Sequence, residues 1–231
     1  MHVFEMILVI VFAVVVAKVF IYKIFFNDLI RAAMERDPAA TGSLIVVLTY
    51  AGVQAMAYHR VAHALYDWRF RFLSRFLSQM GRWLTGIEIH PGATIGKGIF
   101  IDHGMGVVIG ETSVLGNNVT LFQGVTLGGT GKEHGKRHPT IGNHVVIGAG
   151  AKILGGIRVG DNVKIGANSV VLKSIPSNST VIGVPARIIK TEGERMPEAT
   201  MDHTNMPDPI VDRFEATERE IIELRKKLEN Q

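Results

Sequence analysis

Five histidines, His90, His103, His134, His138 and His144, fall close together in this chain. An imidazole titrates near neutrality, so it can take a proton from a substrate and give it back. His103 stands in the run IDHGMG, between Asp102 and Gly104. A neighbouring carboxylate, with glycines that let a ligand come close, is the setting a general base needs. Glu88 is a second carboxylate fifteen residues upstream. A carboxylate bonded to one ring nitrogen fixes the tautomer and raises the basicity of the other. Arg137 and His138 lie in the basic run GKEHGKRHPT, Gly131 to Thr140. The planar fork of an arginine matches a substrate carboxylate. One histidine alone is an ordinary solvent-facing residue; it is the combination that points to chemistry.

These residues sit in an internal repeat. From Ile89 an aliphatic residue heads nearly every six-residue piece: Ile89, Ile95, Ile101, Val107, Val119 and Val125, then Ile141, Ile147, Ile153, Val159, Ile165 and Val171. Only Ser113 breaks the series. A period of six with one apolar residue per unit does not fit a helix, whose apolar face recurs every three to four residues. It fits short strands joined by corners and stacked into a prism with a continuous core. The run from Gly131 to Thr140 falls out of phase and is polar. An insertion of this kind becomes a loop on one face of a solenoid, often the working face.

The remaining composition narrows the options. The 231 residues contain no cysteine, which excludes disulfides and thiolate metal sites. The formal charge of +4 is modest, and no basic motif interleaved with aromatics appears, which argues against nucleic-acid binding. The segment from Val3 to Phe26 is long and apolar enough to span a membrane. Lys23 lies near its end and Arg31 and Arg36 follow it, which would keep the rest of the protein in the cytoplasm. Residues 27–86 read as helical. Asp37-Pro38 has the form of a helix start, and Leu44 to Tyr66 reads as one helix weakened by Gly52. Arg69, Arg71 and Arg75 alternate with Phe70, Phe72 and Phe76, as in an amphipathic helix packed on its neighbours. His59 and His63 share a helix face at metal-ligand spacing, but no zincin-type glutamate follows, so packing or capping is the favoured role. In the tail, Phe214, Thr217, Ile221, Leu224 and Leu228 follow heptad spacing over two heptads.

The runs GIEIHPGATIGKGIFIDHGMGVVIGET, VTLGGTGKEHGKRHPTIG and IGAGAKILG resemble the serine O-acetyltransferases of cysteine biosynthesis, in their short bacterial form. The resemblance covers roughly residues 27–190. It implies a helical domain at 27–86 and a left-handed β-helix of hexapeptide coils at 87–190; with the membrane-anchor helix read from the apolar segment at 1–26, which is not a usual part of that form, and a tail with a short helix at 191–231, the chain is an α+β protein. The resemblance implies His103 as the general base, with Glu88 as its dyad partner. Asp37 and Asp102 would hold the amino group of L-serine, Arg137 its carboxylate, and His138 would complete the pocket. Acetyl-CoA, as co-substrate, would lie along Gly129, Thr130, Gly148, Ala149, Lys164, Gly166 and Ala167, with no metal required. On the family's coil of about eighteen residues, Gly148-Ala149 stacks on Gly166-Ala167, while Glu88 and His103 miss vertical register by about three. The family's site lies between solenoids, which implies a homotrimer or a dimer of trimers. The chain ends Glu229-Asn230-Gln231, without the terminal isoleucine that docks relatives into cysteine synthase.

Other readings stay open at this stage. The same chemistry could act on homoserine or a sugar hydroxyl, although Asp37, Asp102 and Arg137 together favour a zwitterion. A γ-carbonic-anhydrase-like solenoid could gather His103, His134, His138 or His144 around zinc. A non-catalytic scaffold would have no use for His103.

Overall fold

The computed structural model describes residues 2–131 and 135–191, together with Thr217, Arg219 and Ile221. His134 and most of the heptad tail lie outside the described residues; Thr217 and Ile221 are helical.

Five helices precede the repeat: α1 (His2–Phe25), α2 (Asn27–Arg36), α3 (Ser43–Thr49), α4 (Ala51–Asp67) and α5 (Arg71–Thr85). Two expectations need correction here. Asp37 ends a helix instead of starting one: it is the C-cap of α2, and its Oδ1 accepts the Ala39 N–H at 2.8 Å, closing a turn around Pro38. The helix expected over 44–66 is two helices, broken where Tyr50 takes an extended conformation. Gly52 then has a packing reason. A Cβ there would stand 2.2 Å from the carbonyl oxygen of Ile101, so only glycine lets α4 lie against the repeat. Helix α5 is amphipathic and packs on its neighbours as expected, but with its aromatic face outward. Its buried residues are the small ones, Ser74, Ser78, Gly81 and Thr85, whereas Phe72 is 85% exposed and Trp83 84%. Small residues three and four apart let α5 approach α4 closely, with Gly81 meeting Tyr58.

The repeat forms a left-handed parallel β-helix with three sheets. The first sheet stacks β1 (Glu88–Ile89), β4 (Val108–Ile109), β7 (Thr126–Gly128), β10 (Lys152–Leu154) and β13 (Val170–Val171). The second stacks β2 (Thr94–Ile95), β5 (Val114–Leu115), β8 (Thr140–Ile141) and β11 (Arg158–Val159). The third stacks β3 (Phe100–Ile101), β6 (Thr120–Leu121), β9 (Val146–Ile147), β12 (Lys164–Ile165) and β14 (Ser179–Gly183). The finishing segment then folds back, with β15 (Ala186–Thr191) antiparallel to β14.

Each unit turns two side chains inward, two residues apart. Ile89 is buried with Ile87, Leu121 with Val119, and Ile165 with Val163. Ser113 therefore breaks nothing. It lies beneath Ala93 in the small inward position, while Leu115 fills the large one. The coils also differ in length. Glu88 pairs with Val108, a coil of 20 residues, and Thr140 pairs with Arg158, a coil of 18. Val114 pairs with Thr140 across 26, so the insertion is looped out without disturbing the stack.

Candidate active site

Most of the predicted site residues fall on two edges of the prism, and these edges border the same sheet. The edge leading from the third sheet to the first carries Asp102 and His103. The backbone places His103 in the left-handed region, at φ 57°, which histidine adopts more readily than most side chains. Its side chain is 75% exposed, and Asp102 Oδ1 lies 3.9 Å from Nε2, beyond hydrogen-bond reach. Below it the edge continues through backbone hydrogen bonds from Gly124 to Met105, Gly150 to Gln123 and Asn168 to Ala149. The predicted column is there: Gly148 and Ala149 stack on Gly166 and Ala167, held by the Gly148 N–H to Ile165 O bond of 2.8 Å.

Asp37 is presented near this edge by the turn after α2. Tyr50, which the sequence reading missed, donates its hydroxyl to Asp37 Oδ2 at 2.6 Å. Burial, that hydrogen bond and the charges of Asp37 and Asp102 push the Tyr50 phenol up to about 12, so it stays a donor. With Ala39 N–H on one oxygen and Tyr50 on the other, Asp37 is fixed and still has lone pairs for an ammonium group.

The other edge, from the first sheet to the second, carries Arg137 and His138 at the end of the long loop. Arg137 Nη2 donates to Glu111 Oε2 at 2.9 Å, and Tyr66 OH reaches Glu111 Oε1 at 3.4 Å. Glu111 is a second residue that sequence reasoning passed over, although it lies in the quoted GET run. His138 is only 7% exposed. Burial and the charges of Arg137 and Lys136 lower its pKa against the opposing pull of Glu111. Its ring packs against Gly110, where an added Cβ would stand 2.0 Å from Cδ2 and 2.1 Å from Nε2. His90, on the same edge, is held down to about 4 by burial and Arg75, so it is neutral at pH 7. Gly129 and Thr130 belong to this edge as well, with Gly129 against the Arg137 side chain. Lys164 opens β12 on the third sheet, apart from both groups.

Glu88 does not meet His103 within the chain. It faces outward from β1, with Oε2 3.3 Å from Arg82 Nη1. Because the first coil has 20 residues, the residue stacked beneath Glu88 is Val108, five positions past His103 and not three. His103, His138 and His144 lie on three different edges, the last bonded to the corner above through Asn117 O. Among the described residues no group of three metal-ligating side chains stands close enough to hold an ion. His59 is buried, and its ring is held to about 3 by burial and the nearby His63 and Arg60, whereas His63 Nδ1 bonds Pro91 O at 2.7 Å.

Comparison with known proteins agrees with this architecture. The bacterial transferase hexapeptide (six repeats) family matches residues 138–173, and the hexapeptide repeat of succinyl-transferase family matches residues 104–123. The serine acetyltransferase of Bacillus subtilis (strain 168) is 56% identical over 201 residues, 87% of this chain and 92% of that protein. Among solved structures, Neisseria gonorrhoeae serine acetyltransferase superposes with a TM-score of 0.70 at 47% identity, over 71% of this chain. This chain spans 65% of the gonococcal one, just under two thirds. The Brucella abortus (strain S19) serine acetyltransferase in complex with coenzyme A gives a TM-score of 0.71 at 48% identity, over 74% of this chain and 69% of that one. With a relative of this identity aligned over nearly its whole length, the chain belongs to the serine acetyltransferase family.

Proposed function

We propose that the protein transfers the acetyl group of acetyl-CoA to the hydroxyl of L-serine, giving O-acetyl-L-serine and CoA, the first step from serine to cysteine. The observation that carries this is family membership across 87% of the chain, with the motif residues standing on two edges of one sheet. His103 takes the serine hydroxyl proton as the oxygen attacks the thioester carbonyl. The tetrahedral intermediate collapses with loss of the CoA thiolate, and the imidazolium returns the proton to sulfur. Asp37 and Asp102 bind the ammonium group, while Arg137 and His138 bind the carboxylate. The arm of CoA runs along Gly148, Ala149, Gly166 and Ala167, with further contacts from Gly129, Thr130 and Lys164. Thiol release measured with serine, homoserine and a galactoside tests this reading; turnover with the galactoside and none with serine would overturn it.

The active unit in this reading is a homotrimer, alone or paired into a hexamer. The His103 edge of one copy meets the Arg137 edge of the next, and Glu88 reaches the imidazole across that interface. What supports this is the separation of the two groups on one chain, the exposure of His103, and the position of Glu88 beside Arg82.

We also infer that α1 anchors the enzyme to a membrane, with the catalytic domain on the cytoplasmic side. Val3–Phe25 is 23 residues long, and its apolar window is wholly unburied. Lys23 lies in its last turn, and Arg31 and Arg36 follow it. Recovery of the full chain in the soluble fraction after cell lysis would refute the anchor.

A further inference from the structure

Thr112, in the corner after β4, touches both residues proposed to hold the serine carboxylate. Its Oγ1 accepts the backbone N–H of Arg137 at 3.1 Å and that of His138 at 3.1 Å. The same oxygen lies 2.9 Å from His138 Nδ1, and the Thr112 backbone N–H donates to that nitrogen at 3.2 Å. Its carbonyl oxygen accepts Lys136 Nζ. One residue thus ties down three consecutive residues of the returning loop.

The hydrogen-bond arithmetic has one solution. A hydroxyl has two lone pairs and one proton. With both lone pairs occupied by the two N–H groups, Oγ1 has only its proton to offer Nδ1. The Thr112 backbone N–H can only donate. Nδ1 therefore accepts from both, and the proton of the neutral ring lies on Nε2. A cationic ring would bring an N–H at Nδ1 against two donors. The charged groups around the ring are Arg137 and Lys136 from the loop and Glu111 from the corner above, and His90 faces it from the first coil.

We propose that Thr112 is a positioning residue for catalysis: it sets the pose of Arg137 and locks His138 as a neutral Nε2–H donor toward a substrate oxygen. His138 is then a hydrogen-bond donor and not a second base. This rests on the reading that Arg137 and His138 bind serine.

The test compares the full-length wild type with Thr112→Val, Thr112→Ser and His138→Asn. Valine keeps the shape and removes the hydroxyl, while serine restores the hydroxyl. For Thr112→Val the serine KM should rise about tenfold, the scale of one lost hydrogen bond to a binding group, with acetyl-CoA KM unchanged. Thr112→Ser should return it to within about threefold of wild type. Long-range proton–nitrogen spectra of the wild type, with His138 assigned by its loss in His138→Asn, should show the Nε2–H tautomer. An Nδ1–H tautomer in the wild type overturns the proposal even if Thr112→Val fails to fold. So does a wild-type serine KM in Thr112→Val while His138→Asn raises it, or a defect that serine does not rescue. If His138→Asn leaves the serine KM unchanged, the underlying reading of the site fails instead.

Discussion

Two inactive chains should make an active enzyme when mixed, if the site is shared between copies. His103→Asn removes the proposed base and leaves the corner intact, because asparagine accepts the left-handed backbone at φ 57° and the replaced side chain is mostly exposed. Loss of a general base lowers kcat by about 10²–10⁴, or roughly 3–5 kcal/mol of barrier. Arg137→Ala removes the carboxylate fork and gives up a half-exposed ion pair to Glu111, worth at most about 1 kcal/mol of stability. In a cyclic trimer each site takes His103 from one copy and Arg137 from the next. With equal, random mixing, a site is intact only when an Arg137→Ala chain supplies His103 and a His103→Asn chain supplies Arg137. That arrangement occurs at about one site in four, so co-expressed chains should recover about a quarter of wild-type thiol release. Activity no higher than the two parents combined would refute the shared site and place both edges in service of one chain.

Three other outcomes follow from the geometry. His59 stays neutral when folded, with a pKa of about 3, but titrates near 6.5 when unfolded, so the unfolded chain binds more protons below that pH. Stability should therefore fall by about 2 kcal/mol between pH 7 and 5, and His59→Leu should flatten that part of a denaturation series. Gly52→Ala drives a Cβ into Ile101 O and should cost about 1–3 kcal/mol in urea unfolding, although alanine is the better helix former. Tyr50→Phe releases Asp37 Oδ2 and should raise the serine KM by about three- to tenfold in initial-rate assays, leaving acetyl-CoA KM unchanged.

The period of six was plain in the sequence, and its phase was not. Each unit has two inward positions, and the corner holding His103 is two residues longer than the regular corners. Past that corner the count of six moves from one inward position to the other. Val107, Val119 and Val125 are buried aliphatics all the same, so the series looked unbroken, and Ser113 looked like a fault when Leu115 was doing its work. The same two residues explain why Glu88 and His103 are further out of register than an eighteen-residue coil predicts. The candidate base, the arginine and the stacked glycine–alanine pairs were legible because their motifs are local. Tyr50, Glu111 and Thr112 were not, because they act by touching residues 13 to 26 positions away, and sequence spacing alone does not show such contacts.

The two places where the coil is lengthened are also the two places where the chemistry is proposed. A uniform stack of hexapeptides offers a ligand only short corners and flat faces. Lengthening the first coil to 20 residues pushes His103 outward at the edge from the third sheet to the first. Lengthening the second sheet's coil to 26 lets the chain return as Lys136, Arg137 and His138 at the next edge, fastened to Thr112. Both extensions border the first sheet, and Glu88 stands on that sheet between them. Neither edge alone holds a complete set of groups for acyl transfer. In the proposed reading one supplies the base and an ammonium site, the other the carboxylate site. A second copy turned about a threefold axis would bring the two halves together, so trimer formation and catalysis should be lost together when the interface is broken.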